Sequence, residues 1–160
     1  MTTPPAVTAE VVRDFVAQKR LALAGASRSG KKFGNVLLRE LASRGYEVVP
    51  VHPGADTIEG LPCARDLASV AGRVDALVVA TPPAAAARLV AEAGAAGIRR
   101  AWLQQGAGSP EAAEEARKAG VALVQGHCLL MFLPGAKGIH RFHRGLWRLL
   151  GRLPAEPAHA

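Results

Sequence analysis

The sequence predicts an α/β fold: a Rossmann-like, doubly wound, five-stranded parallel sheet with helices on both faces. Three observations predict it. Short apolar runs alternate with segments of helical periodicity, glycine, proline and hydroxyl residues punctuate the junctions, and the strand–loop–helix unit recurs often enough to require crossover connections. Length agrees, since 160 residues suit one domain, here residues 1–136, followed by a basic tail at 137–160.

Each element has its own signal. Val11, Val12, Phe15 and Val16 after Thr8 predict a short amphipathic helix that covers one face of the sheet, with Thr8 as its N-cap. Leu21–Ala24 is an apolar run stopped by Gly25, the pattern of a buried strand entering a turn. Phe33, Val36, Leu37 and Leu41 recur at helical spacing up to a stop at Gly45. Val48–Val51 forms a second strand, with Pro50 tolerable near its end, and the wholly apolar Ala76–Ala80 a third and central one. Between them Ile58–Cys63 interrupts the rhythm, and Asp66–Val70 reads as a short helix. Thr81 is placed to cap the next helix, whose first turn takes Pro82 and Pro83 and which stops near Gly94 or Gly97. Trp102 and Leu103 mark a fourth strand, Ser109–Pro110 opens a helix that Gly120 closes, and Val121–Val124 is a fifth strand.

Composition narrows the function classes. Hydrophobic residues make up 49%, but 32 of them are alanine and aromatics are only 4%, which favours closely packed helices. No apolar stretch approaches the ~18–20 residues of a bilayer span, and the start Met1–Pro5 carries no secretory pattern, so a cytoplasmic location is expected. Cys63 and Cys128 are too few for a disulfide framework or a four-cysteine zinc site. The net charge of +7 divides into +3 on residues 1–136 and +4 on the tail. A nearly balanced body argues against a nucleic-acid groove, and no specific nucleic acid is expected as a partner.

In a doubly wound sheet the ligand sits at the carboxyl ends of the strands, near the switch in strand order. Those ends carry Gly25–Ala26–Ser27, His52–Pro53–Gly54, Thr81–Pro82–Pro83, Gln104–Gln105–Gly106 and Gly126–His127–Cys128. The loop Gly25–Gly34 adds Arg28, Lys31 and Lys32 to glycines and small hydroxyls before a helix N-terminus. That combination suits a phosphate: glycine admits close approach, first-turn amides donate, and the helix dipole adds about half a positive charge. Gly25–Lys31 reads GxxxxGK, but Lys32 stands where a magnesium-binding hydroxyl is needed and no strand ends in Asp, which argues against an NTPase. The dinucleotide fingerprint GxGxxG fails at Ser27, and the second strand ends in Val51–His52–Pro53 instead of the acid that accepts from an NAD ribose. A phosphorylated ribose suits such neutral or basic groups better.

Taken in order, Gly25–Ala26–Ser27, Lys32–Phe33–Gly34, Val51–His52–Pro53–Gly54, Thr81–Pro82–Pro83, Gln105–Gly106 and Cys128 resemble the stand-alone CoA-binding domain proteins, which are similar to the CoA-binding domain of the succinyl-CoA synthetase alpha subunit. The resemblance covers roughly residues 15–130. It implies coenzyme A or an acyl-CoA as ligand. Ser27 and Arg28, with loop amides up to Phe33, would contact the phosphates; His52 and Pro53 would border the adenosine, with Thr81 and Pro82 on its other side. Gln105 and Gly106 would line the path of the pantetheine arm, whose thiol end would approach Cys128. The ligase has a lysine after its proline–glycine turn, whereas here Ala55 and Asp56 follow Gly54, which leaves Arg28, Lys31 or Lys32 to neutralise a 3′-phosphate. The chain shows no second domain for a phosphorylated histidine, so the ligase chemistry does not carry over.

No catalytic constellation is readable. His127 and Cys128 are neighbours whose side chains diverge on an extended segment, and His140 and His143 lack a third metal ligand. In the tail, Ile139, Phe142, Leu146, Leu149, Leu150 and Leu153 oppose Arg141, Arg144, Arg148 and Arg152 on a helical wheel, an amphipathic pattern suited to docking on the domain or on a second subunit as a homo-oligomer. The expectation is therefore a non-catalytic binding protein without a metal. The alternatives are an NAD(P)-dependent oxidoreductase or other nucleotide enzyme, and an interaction protein that recruits a polyanion through its tail.

Overall fold

The computed structural model describes residues 7–134. The predicted tail helix, its arginine face, and His140 and His143 lie outside the described residues. Helix α1 (Ala9–Ala17) precedes strand β1 (Arg20–Ala24), helix α2 (Phe33–Ser43) and strand β2 (Glu47–Val51). A small hairpin follows, β3 (Thr57–Ile58) and β4 (Leu61–Pro62), then a 3-10 turn at Ala68–Val70. The chain continues through β5 (Ala76–Val79), α3 (Pro83–Ala95), β6 (Arg100–Gln104), α4 (Pro110–Ala119) and β7 (Ala122–His127), and closes on a 3-10 turn at Leu129–Met131.

Five strands form one parallel sheet in the order β2-β1-β5-β6-β7. The strand order reverses between β1 and β5, so the crevice expected of a doubly wound sheet opens at their carboxyl ends. Alternation along β1 shows how both faces are filled: Leu21 and Leu23 join α1 and α2 residues such as Phe15, Leu37, Leu38 and Leu41, while Ala22 and Ala24 join Leu89, Val90, Ala93 and Ala112 of α3 and α4. Each fully buried leucine is worth roughly 1.5–3 kcal/mol. The alanine-rich side packs more closely, to the point that a Cβ on Gly94 of α3 would overlap that of Ala119 in α4. Trp102 is wholly buried, packs against Phe15 and Phe132 at 5.4 and 5.5 Å between ring centres, and donates its indole N–H to the His127 carbonyl at 3.1 Å.

Four local expectations change. Ile58–Cys63 is the turn and second arm of the β3–β4 hairpin, with Glu59 at φ +52° and Gly60 at φ +75°, the two left-handed residues of a tight reversal. Thr81 does not cap α3; the N-cap is Pro82, and the Thr81 hydroxyl instead donates to the Pro82 carbonyl at 3.3 Å. Phe33 starts α2 on the solvent side, 46% exposed, because the buried stripe of that helix runs through Leu37, Leu38 and Leu41. The last strand continues past Val124 to His127, with a register irregularity opposite Trp102–Gln104 that Gly126 accommodates at φ +79°.

Candidate functional site

Two adjoining cavities occupy the carboxyl end of the sheet. The first, about 470 Å³, lies beyond β1, β2 and β5 and is bounded by Gly25, Ala26, Lys32, His52, Pro53 and Thr81, with Arg65, Asp66, Arg88 and Glu92 on its outer wall. The second, about 550 Å³, lies beyond β5 and β6 and is bounded by Phe33, Thr81, Pro82, Gln105, Gly106 and Cys128. Thr81 belongs to both, so the two form one path across the switch point. Of the sequence-predicted contact residues, Ser27, Arg28 and Lys31 line neither cavity.

The floor of this path is close-packed backbone. Gly25 sits at φ +114°, and a Cβ there would overlap the Ala80 carbonyl at the end of β5. Gly34, in the first turn of α2, lies directly on the Gly25–Ala26 backbone, where a Cβ would overlap the Gly25 carbonyl. These contacts pull the amino end of α2 over the cleft. Lys32 is its N-cap and supplies no side-chain acceptor, and no acid stands in its first turn. Lys31 and Lys32 thus sit at the positive end of a helix dipole, an arrangement that a bound anion relieves.

Asn35 holds the loop in shape, a role the sequence reading missed. Its side chain is fully buried; Oδ1 accepts from the Ser27 N–H at 2.9 Å, and Nδ2 donates to the Ser27 carbonyl at 2.8 Å and to Glu59 Oε1 at 2.9 Å. Glu59 also accepts from Arg39 at 2.8 Å. The hairpin turn therefore clamps the glycine loop through one amide. With its N–H so engaged, Ser27 keeps only its hydroxyl for a ligand, and that hydroxyl shares a hydrogen with Ser29 across 2.9 Å. A visible signal existed: Asn35 lies three residues before Leu38, a polar residue on an apolar stripe.

Elsewhere on the rim, the His52 imidazole accepts the Gly54 N–H on Nδ1 at 3.0 Å, which fixes the ring beside Pro53. Gln104, buried beneath Gln105, accepts the Leu129 N–H at 3.1 Å and so ties the segment after Cys128 to the end of β6. The two thiols differ: burial, then the Asp56 carboxylate, push Cys63 upward in pKa, whereas Cys128 stands at the wall of the second cavity. Among the described residues no cluster of three His, Cys, Asp or Glu is placed to hold a metal, and no helix is long and apolar enough to cross a membrane.

Residues 19–134 match the model of a family described as CoA binding domain. Among curated proteins, the ADP-forming acetate–CoA ligase of Methanocaldococcus jannaschii is 26% identical over 85 residues, 53% of this chain but 12% of the ligase. This chain thus spans a small part of that relative. Among solved structures, a conserved hypothetical protein of Pyrococcus furiosus is 40% identical with a TM-score of 0.66, covering 69% of this chain and 96% of that one. The dinucleotide forming acetyl-coenzyme A synthetase 1 of Ca. Korarchaeum cryptofilum is 27% identical with a TM-score of 0.60, over 66% of this chain and 25% of that chain.

Proposed function

The chain belongs to the CoA binding domain family, and from that premise we propose that it holds coenzyme A or an acyl-CoA along the two-cavity path without transforming it. One observation carries the reading: the uncapped, lysine-flanked start of α2 is packed over the switch point by Gly25 and Gly34. Backbone N–H groups of that first turn, together with Lys32, receive the phosphates. The adenosine lies against His52 and Pro53, and the pantetheine arm crosses Thr81 and Pro82 toward Gln105, Gly106 and Cys128. Arg28, exposed on the loop outside both cavities, meets a phosphate only from the solvent side. An NAD ribose lacks its usual acceptor, because β2 itself ends in His52–Pro53 and Asp66, on the same cavity wall, accepts the Ser69 N–H on Oδ1.

Calorimetric titration with CoA, NAD and NADP tests this. CoA at 100 times its dissociation constant should raise stability by about 2.7 kcal/mol, with a matching rise in Tm, and NAD should not. Micromolar stabilisation by NAD with none by CoA would overturn the reading. The non-catalytic part is tested by following free thiol in acetyl-CoA solutions, where the protein should leave the background rate unchanged. The course of the arm is tested with CoA disulfide. A thiolate at Cys128 attacks one sulfur, forms a protein–CoA disulfide and releases one CoA thiol; the adduct should map to Cys128, not Cys63, by mass spectrometry.

A further inference from the structure

Two of the three cations that line the cavity at the β2 end, Arg65 and Arg88, come from outside the glycine loop, and their placement narrows which nucleotide fits. After the β3–β4 hairpin the chain returns along the outer edge of β2: Ala64 donates its N–H to the Pro50 carbonyl at 2.9 Å and accepts the His52 N–H at 2.9 Å. Arg65, the next residue, is thereby held at the carboxyl end of β2, on the wall of the cavity that His52 and Pro53 border. It is exposed and has no ion-pair or hydrogen-bond partner among the described residues. Across the cavity, Ala85, Arg88, Leu89 and Glu92 form one face of α3, at spacings of three, four and seven residues.

The charges of this wall are unevenly committed. Asp66 spends Oδ1 on the Ser69 N–H at 2.9 Å, and Glu92 lies 3.4 Å from Arg88. The Lys32 and Arg65 side chains have no ion-pair or hydrogen-bond partner among the described residues. In doubly wound folds the end of the second strand meets the nucleotide's ribose, where a carboxylate selects free hydroxyls and an arginine admits a phosphate. Arg65 further offers a planar fork of donors that matches phosphate oxygens two at a time.

We propose that Arg65, supported by Arg88 and Lys32, forms a seat for a phosphate on the ribose of the bound nucleotide, so that this end of the cleft distinguishes CoA, with its 3′-phosphate, from dephospho-CoA. The proposal rests on the CoA reading, and its test separates the two. Wild type, Arg65→Ala and Arg65→Ala/Arg88→Ala are titrated with CoA and with dephospho-CoA, with melting temperatures confirming that these exposed substitutions leave the fold intact. Wild type should prefer CoA by about tenfold or more, the size of one charged hydrogen-bonded contact. Arg65→Ala should remove most of that preference and the double variant the rest, with dephospho-CoA affinity unchanged within about twofold. An undiminished preference in the variants, or equal weakening of both ligands, would overturn the seat and leave CoA binding standing. Failure of wild type to bind either ligand would overturn the CoA reading and the seat with it.

Discussion

The four α-helices among the described residues begin in two different ways. Helix α4 is complete at both ends: the Ser109 hydroxyl accepts from the Ala112 N–H at 3.1 Å, Glu111 stands in the first turn, Arg117 and Lys118 in the last, and Gly120 closes it in a left-handed conformation at φ +67°. Helix α1 is similar at its start, with Thr8 as cap and Glu10 behind it. Helices α2 and α3 begin on Lys32 and Pro82, with no side-chain acceptor and no first-turn acid. Both of these open onto the cleft. Where this protein needs only a stable helix it follows the capping rules; where the rules are broken, donors and positive charge are left pointing at the ligand path.

Substitutions at the two kinds of helix start should separate accordingly. The largest effect is expected from Gly34→Ala, which forces α2 off the Gly25 backbone and should weaken CoA by about 100-fold in calorimetry, whereas Lys118→Ala at the far end of α4 should leave affinity unchanged. Asn35→Ala comes next. It strands buried groups of the loop and should cost about 1–3 kcal/mol in urea unfolding, with a roughly tenfold loss of CoA affinity as the loop relaxes. The comparison is sharpened by a reciprocal pair: Ser109→Ala should cost about 1 kcal/mol of stability with no loss of affinity, and Lys32→Ser should add up to about 1 kcal/mol while binding falls several-fold. If Lys32→Ser stabilises the protein and leaves CoA affinity intact, the α2 terminus is not a ligand site.

The smallest effect should spare both kinds of helix start. Burial pulls the His127 pKa below its ordinary 6.5, so between the two values the unfolded chain binds the extra proton. This contribution to stability is complete above about pH 6.5 and falls as pH drops through the window below it. His127→Gln should flatten that acid-side slope in urea titrations, and an unchanged slope would assign it to other groups.

The strands were readable because buried parallel strands are short apolar runs bounded by charged or turn residues, as Leu21–Ala24 is by Arg20 and Gly25, and Ala76–Val79 by Asp75 and the Thr81–Pro82 turn. Capped ends were readable for the same local reason, as Ser109, Thr8 and Gly120 show. The β3–β4 hairpin was not, since two residues per strand carry no periodicity. Thr81 misled because a hydroxyl before two prolines looks like a cap, yet the break falls one residue later. The rim residues clustered at the strand ends were legible from topology alone, whereas Asn35, Arg65 and Arg88 were not. Arg88 reads locally as a solvated helix residue, and Arg65 reaches the cleft only because Ala64 pairs with an edge strand. The amphipathic tail, equally plain in the sequence, lies outside the described residues.

That pairing of Ala64 has a consequence for how copies of this protein meet. An edge strand with a free row of donors and acceptors is a template on which another chain can add a strand. On β2, Pro50 has no N–H to give, its carbonyl is taken by Ala64, and the His52 N–H is taken in return. The segment that positions Arg65 therefore also blunts this border of the sheet, so self-association by continuing the sheet past β2 is disfavoured, and the same two hydrogen bonds act against edge-to-edge aggregation.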